Sequence, residues 1–129
     1  MSSTVISKDG TSIAFDKIGS GPALILVPGL FEQRTFEADT SLLAAYPLVA
    51  EHFTIYHYDR RGRGESTDTL PYAVEREIED IAALIDDAGG EAFLSGISSG
   101  AALAFEAALK LGSKVKALAL YEPPYNDDP

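Results

Sequence analysis

The chain has 129 residues, of which 46% are hydrophobic and 23% charged, as is typical of a globular domain. Its formal net charge of -10 disfavours nucleic acid and anionic membranes as partners, because both are negatively charged. The lack of cysteine excludes disulfides, thiolate catalysis and cysteine-based zinc sites.

The first elements in chain order are strands. Residues 1–4 lack the pattern of a signal peptide, and the longest apolar run, residues 23–31, is too short to cross a bilayer, so we expect a cytoplasmic protein. Residues 4–7 and 12–16 alternate around the turn signal Asp9-Gly10 and predict a hairpin. The continuously apolar run 23–27 predicts a strand inside a parallel sheet.

Strands and helices then alternate to the end of the chain. Residues 41–51 predict a helix interrupted at Pro47, and 53–58 the next strand. A helix beginning near Pro71 is predicted to place one apolar face inward and to end at Gly89-Gly90. That face consists of Val74, Ile78, Ile81, Leu84 and Ile85, with Glu75, Arg76, Glu79 and Asp86 opposite.

The last predicted elements are a strand over 92–95, a helix over 98–111 and a strand over 115–121. This order predicts an α/β fold of three layers, with a mostly parallel sheet of about six strands, in a single domain over residues 1–129.

Residues Gly96-Ile97-Ser98-Ser99-Gly100 match the pattern G-x-S-x-G, which as a bare pattern is weak. Here an apolar strand precedes it and an alanine-rich helix follows, which is the context of a serine nucleophile at a sharp strand-to-helix turn. The two glycines are expected because side chains at those positions would clash in such a turn. A glycine-rich helix start capped by a serine is the alternative interpretation.

The order and spacing of four motifs resemble the α/β-hydrolase superfamily, in particular its small esterases and cofactor-free peroxidase-like members. Besides the G-x-S-x-G segment, the motifs are Val27-Pro28-Gly29-Leu30, residues 58–66 (YDRRGRGES) and Leu120-Tyr121-Glu122-Pro123-Pro124. The chain is similar to the N-terminal half of that fold, lacking its C-terminal strands. The resemblance implies no cofactor and no metal.

The resemblance implies specific roles for several residues. Ser98 matches the nucleophile, and the backbone N–H of Ser99 matches one donor of the oxyanion hole. The second donor falls on Leu30, with Phe31 as the alternative, although Pro28 stands where the family has histidine. Leu30, Phe31 and Ile97 are expected to line the substrate pocket.

A base for Ser98 is harder to identify. The only histidines, His52 and His57, both precede Ser98, whereas the family's histidine follows it. His52 is expected at the surface, near the start of its strand, and His57 on a face of the sheet. Glu122 is the candidate acid, because related dehalogenases carry theirs at a similar position; a polar residue at a strand end is the alternative.

The arginine-rich loop 59–66 allows two interpretations. It follows a strand as a phosphate-binding loop would, but it lacks the third glycine of a dinucleotide fingerprint and the Lys-Ser/Thr of a P-loop. In the resembled family the loop is structural, which is the interpretation we favour.

The sequence therefore predicts a serine hydrolase-family module acting on esters or similar small acyl compounds, with an incomplete triad and weak activity alone. The alternative is a non-catalytic, truncated or designed α/β scaffold that self-associates. In either case residues 115–121 are expected to form an open sheet edge, through which two copies pair as a homodimer.

Overall fold

The computed structural model describes residues 3–29 and 50–121, which form six β-strands and two α-helices. The strands are β1 Ser3–Ile6, β2 Ser12–Gly19, β3 Ala23–Val27, β4 Thr54–Tyr58, β5 Ala92–Ile97 and β6 Val115–Tyr121. The helices are α1 Val74–Asp87 and α2 Ser99–Leu111, the latter followed by the 3-10 turn Gly112–Lys114. Each strand and helix predicted within these ranges is present, with ends that differ by at most three residues.

The strands form one sheet in the order β1-β2-β4-β3-β5-β6. β1, β2 and β4 are antiparallel neighbours, whereas β4, β3, β5 and β6 run parallel. Leu26 of β3 pairs with His57 of β4 on one side and Ser95 of β5 on the other. Since the carboxyl ends of parallel strands meet at one edge of a sheet, the loops that follow these three strands come together there.

Both helices pack on the same face of this sheet and enclose the core. The apolar stripe predicted for α1 is confirmed at Ile78, Ile81, Leu84 and Ile85, which are 0–6% exposed. Val74 differs from the prediction, because at the first position of the helix it remains 43% exposed. From α2, Leu103, Ala104 and Ala107 complete the cluster.

Two predictions fall wholly or partly outside the described residues. The first is the helix over 41–51, of which only residues 50 and 51 are described; they form a turn. The second is the third layer of the fold, to which that helix was expected to belong. Neither helix within residues 3–29 and 50–121 is long and apolar enough to span a membrane.

The loop after β4 ties the hairpin to the rest of the sheet, as its structural interpretation predicts. The Ser66 hydroxyl donates to the Asp59 carbonyl at 2.6 Å and accepts the Ala14 N–H at 2.9 Å. Thr67 exchanges two hydrogen bonds of 2.9 Å with Ser12. A carboxylate oxygen of Asp59 accepts the N–H of Glu65 at 2.9 Å, which closes the loop on itself.

Arg61 fixes the same loop to α1 and to the hairpin turn. Its Nε and Nη2 donate to Asp80 at 2.8 and 2.6 Å, and its Nη1 donates to Asp9 at 2.8 Å. The side chain is 1% exposed. A guanidinium held by two carboxylates in the protein interior is not available to a phosphate, so the phosphate-binding interpretation is wrong for this residue.

Candidate active site

Ser98 occupies the turn between β5 and α2 with a backbone conformation that few non-glycine residues adopt. Its φ and ψ are 56° and -125°, and among the described non-glycine residues it alone has a positive φ. The residue is exposed. The turn closes with a 2.9 Å hydrogen bond from the Ala101 N–H to the Ser98 carbonyl. Positive φ at a serine costs about 1–3 kcal/mol, so the surrounding structure must enforce it.

Two glycines leave room for this turn, as their positions in the sequence predicted. A Cβ on Gly96 would lie 2.8 Å from the Cα of Ala101, because the first turn of α2 folds back onto the end of β5. A Cβ on Gly100 would lie 2.5 Å from the Pro28 carbonyl oxygen and even closer to that of Val27. Both contacts are with backbone atoms, which cannot move aside. The start of α2 therefore packs directly on the end of β3.

The segment after β3 lies beside Ser98. A Cβ built on Gly29 would be 3.7 Å from the Cβ of Ser98 and 3.8 Å from the Oγ of Ser99. Pro28 and Gly29 are both buried. Residues more than sixty positions apart thus meet next to the Ser98 side chain, at the carboxyl edge of the sheet.

Arg60 forms hydrogen bonds to both segments, the one after β3 and the start of α2. Its Nη1 donates to the Pro28 carbonyl and to the Ser99 hydroxyl, each at 3.3 Å. Its Nε and Nη2 donate to the two carboxylate oxygens of Glu77, both at 2.7 Å, and the Tyr72 hydroxyl donates to the same carboxylate at 2.6 Å. The Arg60 and Glu77 side chains are each 4% exposed, so this is a buried, fully paired ion pair.

Each partner of this ion pair keeps the other in its charged form. Burial alone would raise the pKa of the Glu77 carboxyl, but hydrogen bonds from Arg60, its positive charge and the Tyr72 hydroxyl together hold that pKa below its ordinary value. Burial likewise would lower the pKa of Arg60, but the hydrogen bonds and charge of Glu77 raise it. Both groups are therefore charged at neutral pH.

The two histidines lie where the sequence predicts them, His52 at the surface before β4 and His57 in the sheet, in a strand that β3 separates from β5. His52 is exposed and precedes β4, at the amino edge of the parallel strands. Ser98 follows the carboxyl end of β5, so His52 and Ser98 lie at opposite edges of the parallel strands, which at five to six residues are about 17–20 Å long. His57 is half-buried in β4, two strands across from Ser95, and its register partner in β2 is Asp16.

Three of the predicted site residues lie outside the described residues: Leu30, Phe31 and Glu122. Ile97 is the last residue of β5 and is half-buried, with its carbonyl oxygen 3.6 Å from the Cβ position of Gly29. The structure therefore brings together Ser98, Ser99, Ile97 and the Pro28-Gly29 segment. Within the described ranges, His, Asp and Glu side chains form no group of three or more that could hold a metal ion.

Sequence reasoning missed Glu77 and Asp80, which are 3% and 1% exposed. The periodicity of α1 places neither residue on its apolar face, and no motif of the sequence assigns either a role. A signal was present: the two carboxylates are three residues apart, so they share one side of the helix, and two adjacent arginines stand at 60 and 61. Two adjacent arginines on one segment and two carboxylates on one side of a helix indicate two neighbouring ion pairs.

Comparison with known proteins gives strong similarity to solved hydrolase structures. An alpha/beta hydrolase from Sphaerobacter thermophilus is 51% identical with a TM-score of 0.85, and 98% of this chain covers 47% of it. An esterase from Thermogutta terrifontis is 27% identical with a TM-score of 0.81, and the whole chain covers 48% of it. An N-formylmaleamic acid deformylase from Pseudomonas putida is 26% identical with a TM-score of 0.80, and 96% of this chain covers 47% of it.

The chain thus spans about half the length of each of these proteins. In addition, the model of the alpha/beta hydrolase family matches residues 24–129, which include the Ser98 turn, the Arg60 loop and the segment after β3. The sequence motifs, the sheet order and these similarities agree, and this chain belongs to the alpha/beta hydrolase family.

Proposed function

We propose that this protein is a serine hydrolase module that cleaves esters or related acyl compounds, with Ser98 as its nucleophile. The observation that carries the proposal is the exposed, positive-φ Ser98 between β5 and α2 with the backbone of Gly29 against it. The esterase and the deformylase among its similar structures both act on acyl groups by name, which supports this substrate class.

In the proposed reaction, the Ser98 oxygen attacks the carbonyl carbon of the substrate and its proton passes to a base. The negative charge that develops on the carbonyl oxygen is stabilised by the backbone N–H of Ser99 and by that of Leu30. Each donor of this kind typically contributes 10²- to 10³-fold in rate. The intermediate then expels the alcohol, which takes up the proton, and water hydrolyses the acyl-serine.

We propose that the chain alone carries out this reaction weakly. A serine hydroxyl needs a base to accept its proton, and both histidines of the sequence lie in or before β4, which β3 separates from the strand that carries Ser98. Glu122 is the proposed acid that would orient a base supplied from elsewhere. Some catalysis from the oxyanion hole and from binding survives the loss of triad members.

Covalent labelling with a fluorophosphonate, followed by mass spectrometry of the peptides, tests the nucleophile. We expect the label on Ser98, slow labelling, and none in Ser98→Ala. Ser113→Ala is the matched control, because Ser113 is an exposed serine in the 3-10 turn at the far end of α2. Labelling that is equal in Ser98→Ala, or absent from the protein at high probe concentration, would remove the proposal.

The second candidate is a non-catalytic α/β module that associates with a second copy of itself. It is favoured by the position of β6 at one edge of the sheet that residues 3–29 and 50–121 form, with Lys116, Ala117, Ala119 and Leu120 exposed. Absence of any Ser98 labelling, together with a dimer in solution, would favour this candidate.

A further inference from the structure

Arg60 is a buried cation whose fork-shaped head contacts three separate parts of the chain. One side is fixed by the two 2.7 Å hydrogen bonds to Glu77 of α1. The other side, Nη1, reaches the Pro28 carbonyl and the Ser99 hydroxyl. Because the guanidinium is planar and rigid, fixing one side of it also fixes where the other side points.

The two acceptors of Nη1 belong to the two segments that carry the proposed oxyanion donors. Ser99 is itself one proposed donor, and the Pro28-Gly29 segment directly precedes Leu30, the other proposed donor, in the sequence. A hydrogen bond to the Pro28 carbonyl limits rotation of the peptide that joins Pro28 to Gly29. A hydrogen bond to the Ser99 side chain limits movement at the first residue of α2.

We propose that Arg60 is a positioning residue that holds two arms of the site, the Pro28-Gly29 segment and Ser99 at the start of α2, at a fixed separation beside Ser98. The inference rests on the proposed function. It adds a role for Glu77 of α1, which together with Tyr72 orients Arg60. In this arrangement the geometry around Ser98 is set by a charged pair on the side of the sheet where the helices pack, and the arginine itself does not touch the substrate. Displacement of reacting groups by about 1 Å can cost on the order of 10²-fold in rate.

Arg61 provides a matched control for this proposal. It is the next residue, it is equally buried, and it forms an equivalent two-bond ion pair with Asp80 three residues after Glu77. Its side chain donates to Asp9, Arg76 and Asp80, and none of its described hydrogen bonds reaches Pro28 or Ser99. Replacing Arg61 therefore removes a buried ion pair of the same kind without removing the link between the two arms.

The experiment compares Arg60→Met, Arg60→Lys and Arg61→Met by two measurements on folded protein. The first is the NMR chemical shift and hydrogen-exchange rate of the Gly29 and Ser99 backbone amides. The second is kcat and KM for a nitrophenyl ester, corrected for the folded fraction. Arg60→Lys is included because it keeps the charge beside Glu77 but loses the fork, so that a folded variant is available if Arg60→Met unfolds.

For both Arg60 variants we expect shifted Gly29 and Ser99 amide signals, exchange at Gly29 faster by about tenfold or more, and kcat lower by on the order of 10²-fold with KM unchanged. Arg61→Met should leave these amide signals and kcat as they are. Unchanged amides in Arg60→Lys, or equal losses of kcat in the Arg60 and Arg61 variants, would overturn the proposal. If the unmodified protein has no Ser98-dependent turnover, the proposed function fails, and the amide signals alone decide the role of Arg60.

Discussion

Arg61 and Asp80 form a two-bond ion pair in the interior, with N–O distances of 2.8 and 2.6 Å and side chains that are 1% and 2% exposed. Removing Arg61 leaves the Asp80 charge buried without compensation, whereas removing Asp80 leaves Arg61 with Asp9 as its remaining carboxylate partner. Such a loss typically costs about 3–5 kcal/mol, whereas an exposed ion pair is worth about 0–1 kcal/mol. The pair thus differs from the partly exposed pair of Arg76 with Glu79 on the same helix, at 3.0 Å, whose side chains are 37% and 19% exposed.

Asp80→Ala is expected to lower the free energy of unfolding by about 3 kcal/mol, the lower end of this range, because Arg61 keeps its hydrogen bonds to Asp9. Arg76→Ala, which removes a partly exposed pair on the same helix, is the control and should cost less than about 1 kcal/mol. Urea denaturation followed by circular dichroism measures both. Equal losses in the two variants would contradict the assignment of Arg61 as a buried anchor.

Stability should fall in acid because of Asp9. Hydrogen bonds from the Arg61 guanidinium, and then from Thr11, hold the pKa of the Asp9 carboxyl well below its usual range. The unfolded chain binds this proton near pH 3.9, whereas the folded protein binds it only at lower pH. The stabilisation is present above about pH 4 and is lost as the pH falls toward the folded-state pKa.

Asp9→Asn should then make the unfolding free energy depend less on pH below about pH 4. Part of the dependence should remain, because the pKa of Glu77 is also lowered in the folded protein. Urea denaturation at a series of pH values between about 2 and 6 measures this slope. Parallel curves for the variant and the unmodified protein would contradict the role given to Asp9.

An added methyl group should destabilise the fold at Gly100 but not at Gly29. Gly100→Ala places a Cβ 2.5 Å from the Pro28 carbonyl oxygen and should destabilise the fold by about 1–3 kcal/mol or more, although alanine favours helices. Gly29→Ala meets only contacts of 3.6–3.8 Å and should fold normally. Thermal denaturation distinguishes them, and a Gly100→Ala variant as stable as Gly29→Ala would be inconsistent with the backbone contact.

The strain at Ser98 predicts that the protein becomes more stable when this residue is replaced by glycine. Positive φ costs a serine about 1–3 kcal/mol, and the greater freedom of glycine in the unfolded chain offsets about 0.5–1 kcal/mol of the relief. Ser98→Gly should thus gain about 1 kcal/mol, whereas Ser98→Ala keeps the strain and serves as control. A Ser98→Gly variant less stable than Ser98→Ala would mean that the turn is not strained.

Association through β6 is tested by a charge on its exposed side. Leu118 packs against the core, but Ala119 is exposed, so Ala119→Lys adds a charge without disturbing the interior. We expect a dimer in analytical ultracentrifugation at micromolar concentration, and a 13.7 kDa species for Ala119→Lys. Ile6→Lys, on the exposed face of β1 at the other edge, should leave the dimer intact. A 13.7 kDa species for the unmodified protein would contradict the pairing.

The fold was predictable from the sequence because its signals are local. The run Ala23–Val27 is apolar at every position, as a strand covered on both faces must be, and the stripe of α1 has the period of a helix. Boundaries were less accurate: β5 continues to Ile97, so two residues of the G-x-S-x-G segment belong to the strand.

The candidate site was predictable only in part, for a physical reason. The turn that contains Ser98 lies within five residues, and so do the two positions at which a side chain in place of glycine would clash. The contacts of Arg60 with Pro28, Glu77 and Ser99 join residues 17 to 39 positions apart, and no local pattern indicates which carboxylate a given arginine will meet. Even the correct expectation that this loop is structural did not identify its partners.

The close packing of Gly100 on the carbonyls of Val27 and Pro28 has an implication for how such a protein diversifies. The contact is made by main-chain atoms alone, so it is indifferent to which side chains surround it. The side chains around Ser98 can therefore be exchanged while Ser98 and the neighbouring strand end keep their alignment. Variation around this turn thus depends on two positions, 96 and 100, where a side chain would meet backbone atoms at 2.8 Å or less.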